Sequence, residues 1–160
     1  MVLRILKRHV SSWKALLDKI GQAPIGCMKY VNRWKISFNK ALKSYFKVEY
    51  LSPGNKKVWR PIGWCSFVTG KKEQANKYFQ KLIDDSPSKH DLMNMGHVQW
   101  SMGNRKLALE YYKKSIAKTD FTEQEFFEVF EEDFHHLLKQ GVEKDDVPIM
   151  LDQLRYFVEE

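Results

Sequence analysis

The sequence predicts an all-α fold, an α-α superhelix of stacked helix pairs closed by a C-terminal capping pair. Three observations predict it. First, the chain repeats itself. Trp59, Ile62, Gly63 and Gly70 align with Leu92, Met95, Gly96 and Gly103, and Ala75, Phe79 and Ile83 align with Ala108, Tyr112 and Ile116, all at a spacing of 33. Upstream, Ala41, Tyr45 and Pro53 precede Ala75, Phe79 and Pro87 by 34. Self-similarity at this period marks stacked supersecondary units. Second, the segments between the glycines have helical periodicity: in "KKEQANKYFQKLIDDS", Ala75, Tyr78, Phe79, Leu82 and Ile83 share one face. An all-β chain would instead show turn signals every 8 to 12 residues and β-branched enrichment. Third, 160 residues with 43% apolar and 14% aromatic content suit one domain with a substantial core.

The elements follow in order. Residues 1–21 read as a basic helical segment, one or two helices over 2–20 with Ser11 or Ser12 as a cap, forming an incomplete upstream repeat. Leu3, Leu6, Val10 and Trp13 would cover that end of the stack. "GQAP" is a loop. Residues 22–121 read as three helix pairs, near 25–35 and 38–51, 59–69 and 72–85, and 89–102 and 105–118. In "WRPIGWCSFVTG", Pro61 sits where a missing N–H costs little, Gly63 is small where the two helices of a pair cross, and Gly70 closes the helix at a positive φ. Ala75 lets the second helix pack closely, and "DDSPS" breaks it. Residues 122–160 read as acidic capping helices. The first opens on a capping box, Thr122 to Glu125, runs to Gly141, and presents Phe126, Phe127, Phe130, Phe134 and Leu138 inward. The second has Asp145 or Asp146 as cap and Pro148 early.

The pattern of Trp59, Ile62, Gly63, Ala75, Phe79 and Pro87 resembles the tetratricopeptide repeat, W-x-x-L-G-x-x-Y followed by alanine, an aromatic and proline. It departs from that family at Ser66 and Gln99, where tyrosine is usual, and at Lys29, which replaces the first-helix glycine. The ending "LLKQGVEKDDVPIMLDQLRY" resembles the C-terminal end of longer bacterial tetratricopeptide proteins, so the chain is expected to be either a C-terminal piece of a longer array or a shortened relative. The resemblance implies a non-enzymatic scaffold that binds another protein along a concave groove of first helices. Aligned onto this sequence, the groove residues are Tyr30, Arg33 and Trp34, then Lys57, Arg60 and Trp64, then His90, Met93 and His97. Phe67 and Trp100 are expected in the core. The lysine–asparagine pattern with which chaperone-binding members hold a peptide carboxylate is replaced by Arg60 and Trp64.

No residue pattern supports catalysis, a metal or a cofactor. His90 and His97 are seven apart, about 10 Å along a helix, too far to share a metal. His135 and His136 diverge around their helix and read as surface residues, and "EEDFHH" as a solvated face. Cys65 lies in an apolar run without a neighbouring base, and Cys27 and Cys65 suit reduced thiols in a cytoplasm. The N-terminus "MVLRILKRHV" has no unbroken apolar segment for a secretory signal. A basic transit peptide is the lesser alternative, since no acid precedes Asp18. Nothing is long enough to span a membrane.

Charge is strongly asymmetric. Residues 1–80 carry 17 Lys+Arg against 3 Asp+Glu, net +14, and residues 81–160 carry 10 against 17, net −7. Ordinary solubility charge explains this about as well as function does. The functional readings are an acidic protein or peptide partner, a nucleic-acid backbone as the alternative, or an end-to-end self-contact.

Overall fold

The computed structural model describes residues 27–118 and 122–159, with side chains from Lys35 to Val158 within those spans. The helices expected over 2–20 and the "GQAP" loop lie outside the described residues. The chain forms two units, Met1–Ile36 and Ser37–Glu160. The described elements are α1 (Cys27–Leu51), a 3-10 turn (Lys56–Val58), α2 (Trp59–Val68), α3 (Lys72–Asp85), α4 (Lys89–Ser101), α5 (Arg105–Ile116), α6 (Glu123–Lys139) and α7 (Asp146–Glu159). All are helical, as the repeat requires.

Pairs α2/α3 and α4/α5 are the repeating units, and α3 packs on α4. A Cβ on Gly63 would lie 3.0 Å from the Phe79 ring, and one on Gly96 only 2.4 Å from Tyr112. Each glycine therefore marks the crossing within its own pair. Ala75 and Ala108, also equivalent, are fully buried. The turn chemistry repeats too. After α2, Lys71 N–H donates to Ser66 O and Gly70 N–H to Phe67 O; after α4, Asn104 N–H donates to Gln99 O and Gly103 N–H to Trp100 O. These paired bonds close a helix end when the glycine takes a left-handed conformation, here φ +85° at Gly70 and +86° at Gly103. The two positions that lack the usual tyrosine are buried and hydrogen-bonded. Ser66 donates to Gln74 at 3.0 Å, and Gln99 donates to Asn76 at 2.7 Å while accepting from Asn104 at 2.9 Å.

The upstream expectation needs correction. Two helices, 25–35 and 38–51, were expected; the backbone is one helix from Cys27 to Leu51. The physical reason is local. No glycine or proline lies between Gly26 and Pro53, and "RWKISFNKALK" has no turn former strong enough to break hydrogen bonding. From Ser37 onward, α1 buries Leu42 and packs Phe38, Ala41, Tyr45 and Phe46 on a cluster of Val58, Ile62, Cys65 and Tyr78. Tyr78 donates its hydroxyl to Glu49, whose carboxylate also pairs with Lys81 at 3.2 Å.

At the other end, the capping box of α6 forms as the sequence predicts: Thr122 Oγ1 accepts from Glu125 N–H at 3.2 Å, and Glu125 accepts from Thr122 N–H at 2.9 Å. Phe126, Phe130 and Phe134 are fully buried. Leu137, rather than Leu138, completes that face. α7 lies along α5, with Arg105 3.5 Å from Asp146 at one end and Lys113 over the Phe157 ring at the other.

Candidate functional site

The 3-10 turn with α2, and α4, present equivalent positions 33 residues apart: Lys57 with His90, Arg60 with Met93, and Trp64 with His97. The structure leaves Lys57 and His90 both exposed but separates the other two couples, and α6 crosses that face. Its Phe126 and Phe130 meet Tyr112, and Phe130 also meets Trp100 and His97, with ring centroids 5.3 to 6.3 Å apart. Further along, Asp133 lies 3.4 Å from His97 Nε2. His136 then packs edge-on against Trp64 at 5.3 Å and Phe38 at 6.4 Å. The last turn is held by Lys72, whose ammonium donates to Ser101 O at 2.6 Å and Gln140 O at 2.7 Å.

Met93 and His97, expected in the open groove, are therefore fully buried. For His97 the cause is plain: Phe130 of α6 packs on it and on Trp100, and with Phe126 on Tyr112 of α5. His97 becomes a core residue, its Nδ1 paired with the Tyr112 hydroxyl at 2.7 Å and its ring stacked on Phe67. Phe67 and Trp100 are core, as expected. His90 and Lys57 are exposed. Tyr30, Arg33 and Trp34 lie on α1, but their side chains fall outside the described residues.

Lys57, Arg60 and Trp64 do come together. With Lys56, Pro61, Leu82 and Asn94 they line a depression of about 390 Å³. Arg60 and Trp64 share a face of α2 at i, i+4 spacing, and the 3-10 turn, capped by Asn55, brings Lys57 beside them. Trp64 is half-buried, with Phe67 and His136 behind it.

Arg60 has a second role. Its Nε and Nη2 donate to both oxygens of Asp91, at 2.6 and 2.7 Å, and Nη2 reaches Ser88 at 3.3 Å. The Asp91 side chain is fully buried, whereas that of Arg60 is 52% exposed. Burial alone would raise the Asp91 pKa; the hydrogen bonds from Arg60 and from Ser88 backbone and hydroxyl outweigh it and hold the carboxyl below its ordinary value. Asp91 is also the third residue of the α4 capping box with Ser88. Lys56 is likewise paired, with Asp85. Lys56 and Arg60 are thus each partly neutralised, while Lys57 is exposed beside the half-buried Trp64.

His136 corrects another expectation: it is 8% exposed rather than a surface residue. Desolvation, with the adjacent His135, pushes its pKa down to about 4. The Cys65 thiol is buried, and that burial raises its pKa. Sequence reasoning missed Asp91, Asn94, Lys72 and Gln140. Only Asp91 carried a signal, in "SPSKHD", where a serine three residues before an aspartate at a helix start is a capping pattern. Among the described residues, no three His, Cys, Asp or Glu side chains gather closely enough to hold a metal ion. No described helix is long and apolar enough to cross a membrane.

Among known families, the tetratricopeptide repeat model matches residues 92–117, which cover most of the α4/α5 pair. No curated protein and no solved structure matches the chain.

Proposed function

We propose that the chain is a non-enzymatic protein-interaction scaffold whose open contact surface is the α2 depression, and that it takes an acidic peptide segment of a partner protein. A tetratricopeptide repeat at residues 92–117 supports a role in protein interaction. The observation that carries the finer reading is the unequal fate of equivalent positions. On α4 the groove positions Met93 and His97 are fully buried, His97 against Phe130 of α6, while on α2 Arg60 and Trp64 still line a depression beside Lys57. Cationic donors beside a half-exposed indole suit an acidic chain bearing apolar side chains: charge for approach, ring area for retention.

The test uses fluorescein-labelled peptides rich in Asp and Glu, with and without aromatic residues, read by anisotropy. Lys57→Glu with Trp64→Ala should weaken binding at least about tenfold, one buried anchor being worth more than about 1.4 kcal/mol. Arg60 is left intact, because changing it would strand the buried Asp91 carboxylate. Equal binding by parent and variant would remove the depression from the footprint. Generic single-stranded RNA serves as the contrast: phosphate binding should collapse between low and moderate salt, and salt-resistant RNA binding would favour the nucleic-acid alternative instead.

A further inference from the structure

We infer that a second copy of this chain docks head to tail, the outer face of its α1 against the outer face of α7. Helices α1 and α7 are the first and last of the described helices. From Ser37 onward α1 rests on α2 and α3 with one face, and α7 rests on α5 with one face. Stacked repeats bury their apolar surface only against neighbours, so an end helix needs a polar outer face or a partner.

Neither outer face here is simply polar. On α1 the inward side chains are Phe38, Leu42, Tyr45 and Phe46. The opposite side carries Lys43 and Lys47, then Tyr50 and Leu51, at i, i+4, i+7 and i+8 spacing. Tyr50 is 84% and Leu51 70% exposed. On α7, Val147, Met150, Leu151 and Leu154 face inward, while Ile149, Asp152 and Tyr156 form the outer stripe at i, i+3 and i+7. Ile149 is 49% and Tyr156 66% exposed. Asp152 and the preceding Asp145 are exposed acids, and Lys40, Lys43 and Lys47 are exposed bases.

The two faces match in kind and differ in sign. Each is a helical stripe mixing large apolar side chains with charge, basic on α1 and acidic on α7. Lysine against lysine would repel in a contact between two α1 faces, and aspartate against aspartate in a contact between two α7 faces. Opposite signs select the heterologous pairing, in which one copy's α7 meets the next copy's α1. A second copy of the chain offers each stripe both an opposite charge and an apolar partner. Such a contact leaves a free end on each copy, so it grows into a string or closes into a ring.

The experiment is sedimentation velocity on the full chain over a range of concentrations, at about 0.05 M and about 0.5 M salt. The parent should sediment faster as concentration rises, and the shift should weaken in high salt. Ile149→Lys with Tyr156→Lys removes the α7 face; Tyr50→Glu with Leu51→Glu removes the α1 face. All four side chains are exposed, so circular dichroism and melting should match the parent. Each variant alone should be monomeric. An equimolar mixture retains one intact joint, the α7 face of the Tyr50/Leu51 variant on the α1 face of the Ile149/Tyr156 variant. It should give a heterodimer and nothing larger. A parent that stays monomeric throughout, either variant assembling like the parent, or a mixture that stays monomeric would each overturn the inference. Peptide binding at the α2 depression is measured separately on the Ile149→Lys with Tyr156→Lys variant, which leaves α1, α2 and the depression's lining unchanged, so the two readings fail independently.

Discussion

Gly96→Ala tests the helix crossing on which the repeat depends. An ideal Cβ at Gly96 falls 2.4 Å from one Tyr112 ring carbon and 2.6 and 2.9 Å from two others. Ordinary contact needs about 3.4 Å or more, so ring or backbone must move about 1 Å. Tyr112 cannot move freely. It is fully buried, its hydroxyl is held by His97 at 2.7 Å, and Phe126, Phe130 and Trp100 surround its ring. Overpacking of this kind costs about 1–3 kcal/mol, and alanine regains up to about 1 kcal/mol of helix propensity. The net loss should be about 1–2 kcal/mol, or roughly 2–8 °C in Tm for a chain of this size. Gly63→Ala is the internal control. There the approach to Phe79 is 3.0 Å and a few tenths of an ångström relieve it, so the propensity gain should leave the variant within about 0.5 kcal/mol of the parent. Urea unfolding, with the slope checked for constancy, measures both. Gly96→Ala as stable as the parent, or Gly63→Ala the worse of the two, would refute the crossing geometry.

Three further outcomes are expected. Asp91→Ala removes the α4 capping box and leaves Arg60 unpaired; because Arg60 is half exposed, the expected loss is about 2 kcal/mol by urea unfolding rather than the larger value of a fully buried pair. Stability should fall as pH drops from about 6.5 toward 4, by at most about 1.4 kcal/mol per unit from His136, because the unfolded imidazole takes a proton at its ordinary value while the folded one, desolvated beside His135, Trp64 and Phe38 with Asp133, Lys139 and His97 nearby, resists until about 4. His136→Leu should flatten that slope in urea midpoints between pH 7.5 and 5, and an unchanged slope would remove His136 as its source. Lys72→Met should cost about 1–2 kcal/mol and speed amide exchange around Gln140, since two helix-terminal carbonyls lose their donor.

What the sequence made legible was whatever the repeat dictates within one pair. Gly63, Gly96, Ala75, Ala108, Gly70 and Gly103 each answer to a close approach or a left-handed turn inside a helix pair, and each does what its spacing predicts. Exposure was not legible, because it depends on an element that is not part of the period. Lys57 and His90 are both exposed, but Trp64 and His97 occupy the same register and one is half-buried while the other is sealed. The difference lies 30 to 40 residues downstream, in Phe130 and Asp133 of α6. The α6 phenylalanines announced that they needed burial, but not which surface would supply it. The same limit explains His136. Adjacent histidines point in different directions around a helix, and only the position of Trp64 shows that one of them points inward.

The path of α6 also gives the charge asymmetry a physical setting. α6 seals the face of α4 with its aromatic side and turns its acids outward: Glu123, Glu125, Glu128, Glu131 and Glu132 are all exposed. Acids concentrate where a covering helix must stay solvated above an apolar seam. Lys56, Lys57 and Arg60 lie around the part of the first-helix surface that retains a depression. Two of these cations are already tied, to Asp85 and Asp91. On the proposed reading, an approaching acidic segment would be attracted mainly by Lys57 and by the excess of lysine on α1, and repelled by α6. Field and shape then favour the same place, the rim of Trp64, without requiring any one ion pair to be strong. On this argument Lys57→Glu alone should slow association more than it speeds dissociation, and Trp64→Ala alone should do the reverse. Stopped-flow anisotropy separates the two, and equal effects on both rates from either substitution would show that steering and retention do not reside in different residues.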